Sequence, residues 1–517
     1  MPHHVAPPEA FAHLVDLAAD LTGAFALHTS DDYFAEKENL LRPGPAVWKE
    51  DAYTDKGKWM DGWESQRRRE PGHDTCIIRL GTPGAVHGLL VDTTHFKGNA
   101  PQEISLEGLA AADTTGVRAL LGHPGWQELV PRTAVRPDAR NEISLATVSP
   151  RVTHVRLHIH PDGGVARLRV YGVVMPDPML FREAGSIDLA AVENGGTIAA
   201  VSDQFFGPPS NLLLPGRGVN MGDGWETKRR RTPGSDWCVI RLARRGRVHR
   251  IELDTHFFKG NAPQATRIEA LDLSAADEAH AGHGARLRAA EGWRVLVDHH
   301  PLVQHRRHLI APDRPMEVTH LRVHIFPHGG VNRLRVWGEA LDDAGEQRAL
   351  ATLAAMPETE ARALFLSFAG SARFAEALVA RRPFGRTRDL FAAATDGWWA
   401  LDEADWLEAF AAHPRLGERK AAPTQGERSA AWSRGEQSAL SAVAADTANE
   451  LTAQNARYLE RFGFIFILCA TGRDAGDVLA ALEARIGHDR ATEVELAARE
   501  QAKITRLRIA RWLSAGG

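Results

Sequence analysis

The chain has 517 residues, 25% of them charged, and a formal net charge of -4. Such a length accommodates about three domains, and so ordinary a charge gives no global attraction to nucleic acid or to an acidic membrane. Its three cysteines cannot build a disulfide framework, and no run of about 18 apolar residues occurs to span a bilayer.

The opening segment, MPHHVAPPEAFAHLVDLAADL, lacks a basic start followed by an apolar core, so a cytoplasmic location is the expectation. From about residue 22 short alternating apolar runs are divided by Gly, Pro and Asp clusters, the pattern of antiparallel strands packed as a sandwich. The text is then written again. MDGWESQRRREPGHDTCIIRL from Met60 recurs as MGDGWETKRRRTPGSDWCVIRL from Met221, and Trp63 to Trp225, Asp92 to Asp254 and Asn99 to Asn261 are each 162 apart. Upstream, Ser30, Asp31 and Asn39 answer Ser202, Asp203 and Asn211; downstream, HVRLHIHPDGGV from His154 answers HLRVHIFPHGGV from His320. A whole domain is copied, over about 22–175 and 195–340, giving domain limits of 1–180 and 181–343. Cys76 and Cys238 fall inside equivalent strands as buried thiols. The paired glycines at 163–164 and 329–330 sit between alternating runs and predict tight hairpins.

After residue 343 alanine becomes abundant and apolar residues recur at three and four spacing, so 344–517 is expected to be all-helical. A short polar link starting at Asp342 precedes it, and Gly463 is placed to cap one long helix. The expected architecture is therefore multi-domain, with two tandem all-β sandwich domains followed by an all-α domain.

What both copies retain is polar, charged or backbone-special, where packing alone would keep mainly apolar character. That biases the reading toward chemistry. Asp92 and Asp254 end strands and precede a His and then Lys-Gly-Asn-Ala-Pro, so Lys97, Asn99, Lys259 and Asn261 join a carboxylate and an imidazole within ten residues. Such a cluster binds a small, highly polar substrate and moves protons; the plainer reading is a Gly-Asn turn with a solvated lysine. His256 lies two residues after Asp254, whereas His95 lies three after Asp92, a slip that reverses a side chain on a regular strand. Either a bulge restores His95 or only one copy keeps its imidazole in place. Glu64 and Glu226 are the best further acid/base carboxylates. Of the two Arg-Arg-Arg runs, Arg229 is taken as a clamp for a substrate carboxylate, most of the others as solvated. His158, His160 and His324 invite a metal reading, but no full ligand set stands out against satisfied strand histidines.

These motifs resemble the allantoicase family over about residues 20–340. The resemblance implies tandem jelly-roll sandwiches that hydrolyse allantoate to (S)-ureidoglycolate and urea. Under it, His256, Glu226 and Asp254 are the catalytic candidates, and Lys97, Asn99, Lys259, Asn261 and Arg229 the substrate-binding ones. The sequence does not choose between the copies, and a divalent metal stays open for this part. A tandem of ligand-binding sandwich modules is the competing reading.

In the helical part, His413-Pro-Arg-Leu-Gly, Ser433-Arg-Gly-Glu-Gln, Arg461-Phe-Gly-Phe-Ile-Phe and Lys503-Ile-Thr-Arg-Leu-Arg follow one another. Taken alone, the Ser433–Glu436 spacing is a capping box. In this order they resemble the decarboxylase of 2-oxo-4-hydroxy-4-carboxy-5-ureidoimidazoline (OHCU), over about 348–515. The resemblance implies an all-helical enzyme making (S)-allantoin without a cofactor. It also implies that His413 is the catalytic acid/base with Glu436 beside it, that Ser433, Gln437 and Pro414 hold the substrate, and that Arg508 binds anionic oxygen. A His beside a carboxylate is expected to donate a proton near neutral pH. The expected partners are these small molecules and further copies of the chain, with no nucleic acid and no membrane.

Overall fold

A computed structural model of the chain describes residues 7–274, 287, 290–413, 445–471, 473 and 475–516. Its contacts form two compact units, Met1–Leu341 and Asp342–Gly517.

In the first unit each repeat is built on one long strand, Asp74–Asp92 in the first and Asp236–Asp254 in the second. The first half of Asp74–Asp92 is flanked by Phe25–Thr29 and Arg151–His160, and the second half by Arg167–Val174 and Arg140–Ser144, all antiparallel. Glu103–Leu109 and Gln127–Ala134 extend the first layer beyond Arg151–His160. The second repeat uses Thr197–Val201, Met316–Phe326, Arg333–Ala340 and Arg307–Ile310 in the same way. One strand thus passes through both layers, and the register slips between Val152 and His154 and between Tyr171 and Gly172 at its bend. Each repeat is a β-sandwich.

Alternation fills the space between the layers. Cys76, Ile78, Val86, Leu89 and Val91 meet Leu106, Leu157, Leu168 and Val170 in the first core, and Cys238, Ile240, Val248, Ile251 and Leu253 meet their counterparts in the second. Trp63 and Trp225 are wholly buried in these cores. Each indole N–H still finds an acceptor, donating to the Asp31 or Asp203 carbonyl at 2.8 Å. Burial holds the Cys76 and Cys238 thiols neutral by raising their pKa.

The paired glycines are not hairpin turns. Arg151–His160 and Arg167–Val174 do not pair with each other; both pair with the long strand. Between them Gly164–Val165 pairs with Trp63–Glu64, and Gly330–Val331 with Trp225–Glu226. Gly163 and Gly329 do take the left-handed φ that glycine favours, +132° and +136°. Gly164 and Gly330 serve close approach instead, since a Cβ there would lie 2.0 and 1.9 Å from the Phe96 and Phe258 rings. Alternating flanks signal a turn between strands but not which strand each one pairs with.

The second unit is helical: Ala344–Ala355, Glu358–Ala369, Ala372–Val379, Thr387–Trp399, Glu403–Ala411, Ala445–Phe462, Ala475–Arg485 and Arg490–Ser514. The last helix packs against the first, second and fourth of these. The polar segment after Asp342 is the start of a helix rather than a link, because Asp343 and Glu346 form a reciprocal capping box. Asp342 in turn accepts the backbone N–H and the hydroxyl of Thr387 at 3.0 and 2.6 Å. Gly463, at φ +79°, donates its N–H to the Leu459 carbonyl and closes its helix as the sequence predicts. Among the described residues no helix is long and apolar enough to cross a membrane.

Candidate functional site

Much of the repeated polar text holds backbone rather than substrate. Ser30 and Ser202 hydrogen-bond Asp74 and Asp236 at 2.9 and 3.3 Å, and the middle arginine of each triplet, Arg68 or Arg230, pairs with the same buried carboxylate at 2.8 or 2.9 Å. Asn39 and Asn211 donate to the Gly62 and Gly224 carbonyls at 2.9 and 3.1 Å. The Thr93 and Thr255 hydroxyls tie down a neighbouring loop through the Arg136 and Val303 carbonyls at 2.7 and 2.6 Å. Buried polar groups are retained because an unpartnered one is costly, about 1–3 kcal/mol. Retention through the duplication is therefore as much structural as chemical.

What stays available lies at the end of the long strand. In the second repeat Glu226, half-buried beside Trp225, accepts the Asn261 side-chain N–H at 2.5 Å. The loop carrying Asn261 is anchored by Phe258 and by the Gly330 N–H, which donates to the Asn261 carbonyl at 2.9 Å. Desolvation raises the Glu226 pKa, and the Asn261 hydrogen bond partly opposes that. On the same loop, buried Asp254 accepts both the His256 backbone N–H at 2.8 Å and the imidazole Nδ1 at 3.0 Å. An ionised Asp254 puts the proton on Nδ1 and leaves Nε2 as an acceptor. The His305 ring lies 4.5 Å from that of His256. Lys259 and Arg229 are exposed, and neither makes an ion pair among the described residues.

The first repeat preserves half of this. Asn99 donates to Glu64 at 2.7 Å, and desolvation raises the Glu64 pKa as it does that of Glu226. Lys97 is exposed, 3.9 Å from Asp138. Asp92, however, accepts the backbone N–H and hydroxyl of Thr94 at 2.9 and 2.5 Å, so Thr94 stands where His256 stands. His95 corresponds instead to Phe257: the two take φ of +73° and +70°. Their N–H groups donate to Asp138 Oδ1 and to His305 Nδ1, at 2.8 and 2.9 Å. The His95 ring lies against Trp48, 5.5 Å between centroids. Each long strand ends at its aspartate and a turn follows, so no bulge restores His95.

The strand histidines are occupied. His158 contacts His73 at 2.9 Å and Glu107 at 2.7 Å, His160 contacts Ser105 at 3.0 Å, and His324 contacts Ser235 and Glu269 at 3.0 and 3.1 Å. Among the described residues no group of three or more His, Cys, Asp or Glu is arranged to hold a metal ion.

In the helical unit His413 follows the helix Glu403–Ala411, and Arg508 is buried on the last helix, where its guanidinium donates to the Ser367 and Phe368 carbonyls at 3.3 and 3.4 Å. Burial, with the Arg508 charge adding to it, pushes the His413 pKa down to about 3, the nearby Gln501 side chain acting in the opposite direction. At that value the imidazole is neutral near pH 7. Pro414, Ser433, Glu436 and Gln437 lie outside the described residues. Sequence reasoning missed Gln501 and Thr505. Both are buried on the Arg508 face of the last helix, where Gln501 donates to the Ala369 carbonyl at 3.4 Å and to the Thr505 hydroxyl at 3.3 Å. Their spacing to Arg508, four and then three residues, is the signal that could have found them.

Fold and site together define a tandem β-sandwich chain with carboxylate, imidazole and amide groups at its strand ends, joined to a helical unit with a half-buried histidine and a buried arginine. A family model described as the allantoicase repeat matches residues 15–175 and 187–341, and one described as OHCU decarboxylase matches 354–510. Allantoicase of Dictyostelium discoideum is 44% identical over 327 residues, 62% of this chain and 86% of that protein. The crystal structure of allantoicase from Saccharomyces cerevisiae is 34% identical with a TM-score of 0.54, covering 63% of this chain and 93% of that one. A crystal structure of OHCU decarboxylase in the presence of (S)-allantoin is 35% identical with a TM-score of 0.26, covering 29% of this chain and 96% of that one. The chain belongs to the allantoicase family and carries an OHCU decarboxylase domain after the repeats. Both are families of enzymes, a hydrolase and a lyase.

Proposed function

We propose that the chain is a bifunctional enzyme of urate breakdown, hydrolysing allantoate to (S)-ureidoglycolate and urea at its second repeat and decarboxylating OHCU to (S)-allantoin in its helical unit. The observation that carries the hydrolytic assignment is the Asp254–His256 pair at the start of the loop whose Asn261 holds Glu226, a pair the first repeat lacks.

Allantoate bears a carboxylate and two ureido groups on one carbon. Hydrolysis breaks one C–N bond and forms one C–O bond, so urea leaves with a proton and water delivers its oxygen after losing one. His256 Nε2 takes the proton from water, with Asp254 fixing the tautomer. Glu226, whose pKa is raised, supplies the proton to the leaving urea nitrogen; a pair whose environments separate base from acid suits this division. Asn261 orients Glu226 and a ureido group, and Lys259 with Arg229 holds the carboxylate.

In the helical unit the electron pair released with carbon dioxide is held by the conjugated imidazoline ring, so no step calls for a metal or an organic cofactor. Arg508 binds anionic oxygen, and neutral His413 moves the proton, with Glu436 assigned as its carboxylate partner by the resemblance alone. Ser433, Gln437 and Pro414 complete the proposed binding set. Self-association through the sandwich edges belongs to the same proposal.

Purified full-length chain should release urea from allantoate and form (S)-allantoin from OHCU. His256→Ala should sharply lower only the first activity and His413→Ala only the second. Loss of both in either variant, or of neither, would overturn the division.

A further inference from the structure

The first repeat keeps the parts that bind, its glutamate included, and lacks the imidazole that takes a proton from water. Glu64 with Asn99, exposed Lys97 and the Gly163–Gly164 cradle reproduce the second repeat. Hydroxyl-bearing Thr94 caps Asp92 where the second repeat has an imidazole, and a threonine hydroxyl does not titrate near neutral pH. The chain also spends more residues here. Val47 and Val219 both donate their N–H to an aspartate, Asp61 and Asp223, yet the first pair is separated by 14 positions and the second by 4. The extra segment forms a small hairpin, Tyr53–Thr54 with Gly57–Lys58, and brings Trp48 onto His95. Lys58 lies 4.8 Å from the centroids of both Trp48 and Tyr53, so the segment is packed rather than loose.

We infer that the first repeat is a second, non-hydrolytic binding site for a ureido-substituted carboxylate, held by Glu64, Asn99 and Lys97 beside the Trp48 segment. A planar ureido group offers N–H donors to the glutamate and a carbonyl to the asparagine amide, and the ammonium of Lys97 meets the carboxylate. The inference rests on the assignment of hydrolysis to the second repeat.

The test is calorimetric titration of full-length His256→Ala with allantoate, which that variant hydrolyses at least about 10²-fold more slowly. Two sites per repeat pair are expected, one lost on adding Asn99→Ala and the other on adding Asn261→Ala. Lys97→Ala, a substitution of an exposed side chain that leaves folding intact, should weaken the first site by at least about tenfold. A single site lost only with Asn261→Ala, or two sites of which neither Asn99→Ala nor Lys97→Ala alters one, would overturn the inference and leave the hydrolytic assignment standing. A single site lost only with Asn99→Ala would overturn that assignment too. No binding at all would overturn the inference.

Discussion

The two sandwiches share a scaffold and differ at one turn. Both bury the same tryptophan, pair the middle arginine with the same aspartate and set an asparagine on the same glutamate. One residue after Asp-Thr, the first has Thr94 and the second His256, and the imidazole of the first copy has moved on to the position of Phe257. Duplication preserves what holds backbone in place, because losing those bonds destabilises either copy. A catalytic group needs to survive in only one.

The comparison breaks most sharply at the imidazoles. His256→Ala should lower the rate of urea release by about 10²- to 10⁴-fold, while His95→Ala should change it by less than about twofold; equal losses would show that the first repeat works as well. Glu226→Gln keeps the shape and the hydrogen bond to Asn261 but not the transferable proton, and should lower kcat by about 10²-fold with KM nearly unchanged. The same scaffold should cost the same to damage: Trp63→Ala and Trp225→Ala should each destabilise by about 3–5 kcal/mol in denaturant unfolding. A large difference between them would show that the two cores are not equivalent supports.

The helical unit gives the smallest effect. The folded His413 pKa of about 3 lies below the ordinary value of 6.5. Between those values the unfolded chain binds a proton that the folded chain does not. Its contribution is present above about 6.5 and lost as pH falls toward 3. Protection factors of the Arg490–Ser514 helix amides, which correct for the pH dependence of intrinsic exchange, should therefore fall on acidification through that window, less steeply in His413→Gln.

Period-two and period-three-to-four apolar patterns made the strands and helices readable, and the repeat made the sandwiches readable as a pair. Asp254, His256, Glu226 and Asn261 were legible as candidates because carboxylate, imidazole and amide crowd one short stretch. Less legible were Ser30, Asn39 and Thr93, whose partners are backbone carbonyls or carboxylates 23 to 44 residues away, and Arg68, whose partner Asp74 lies six residues on at the start of the long strand. Gln501 and Thr505 lie in a largely polar stretch of the last helix, and only their burial marks them out on the Arg508 face.

The sequence by itself determined the class of each domain, the duplication and the family, since periodicity and local motif order are properties of the chain alone. Only the tertiary structure decided that the paired glycines serve close approach, that the middle arginines are structural, and that Thr94 rather than His95 answers His256. Those facts depend on which strands pair and where a strand gives way to a turn, and both are fixed by contacts between residues far apart in the chain.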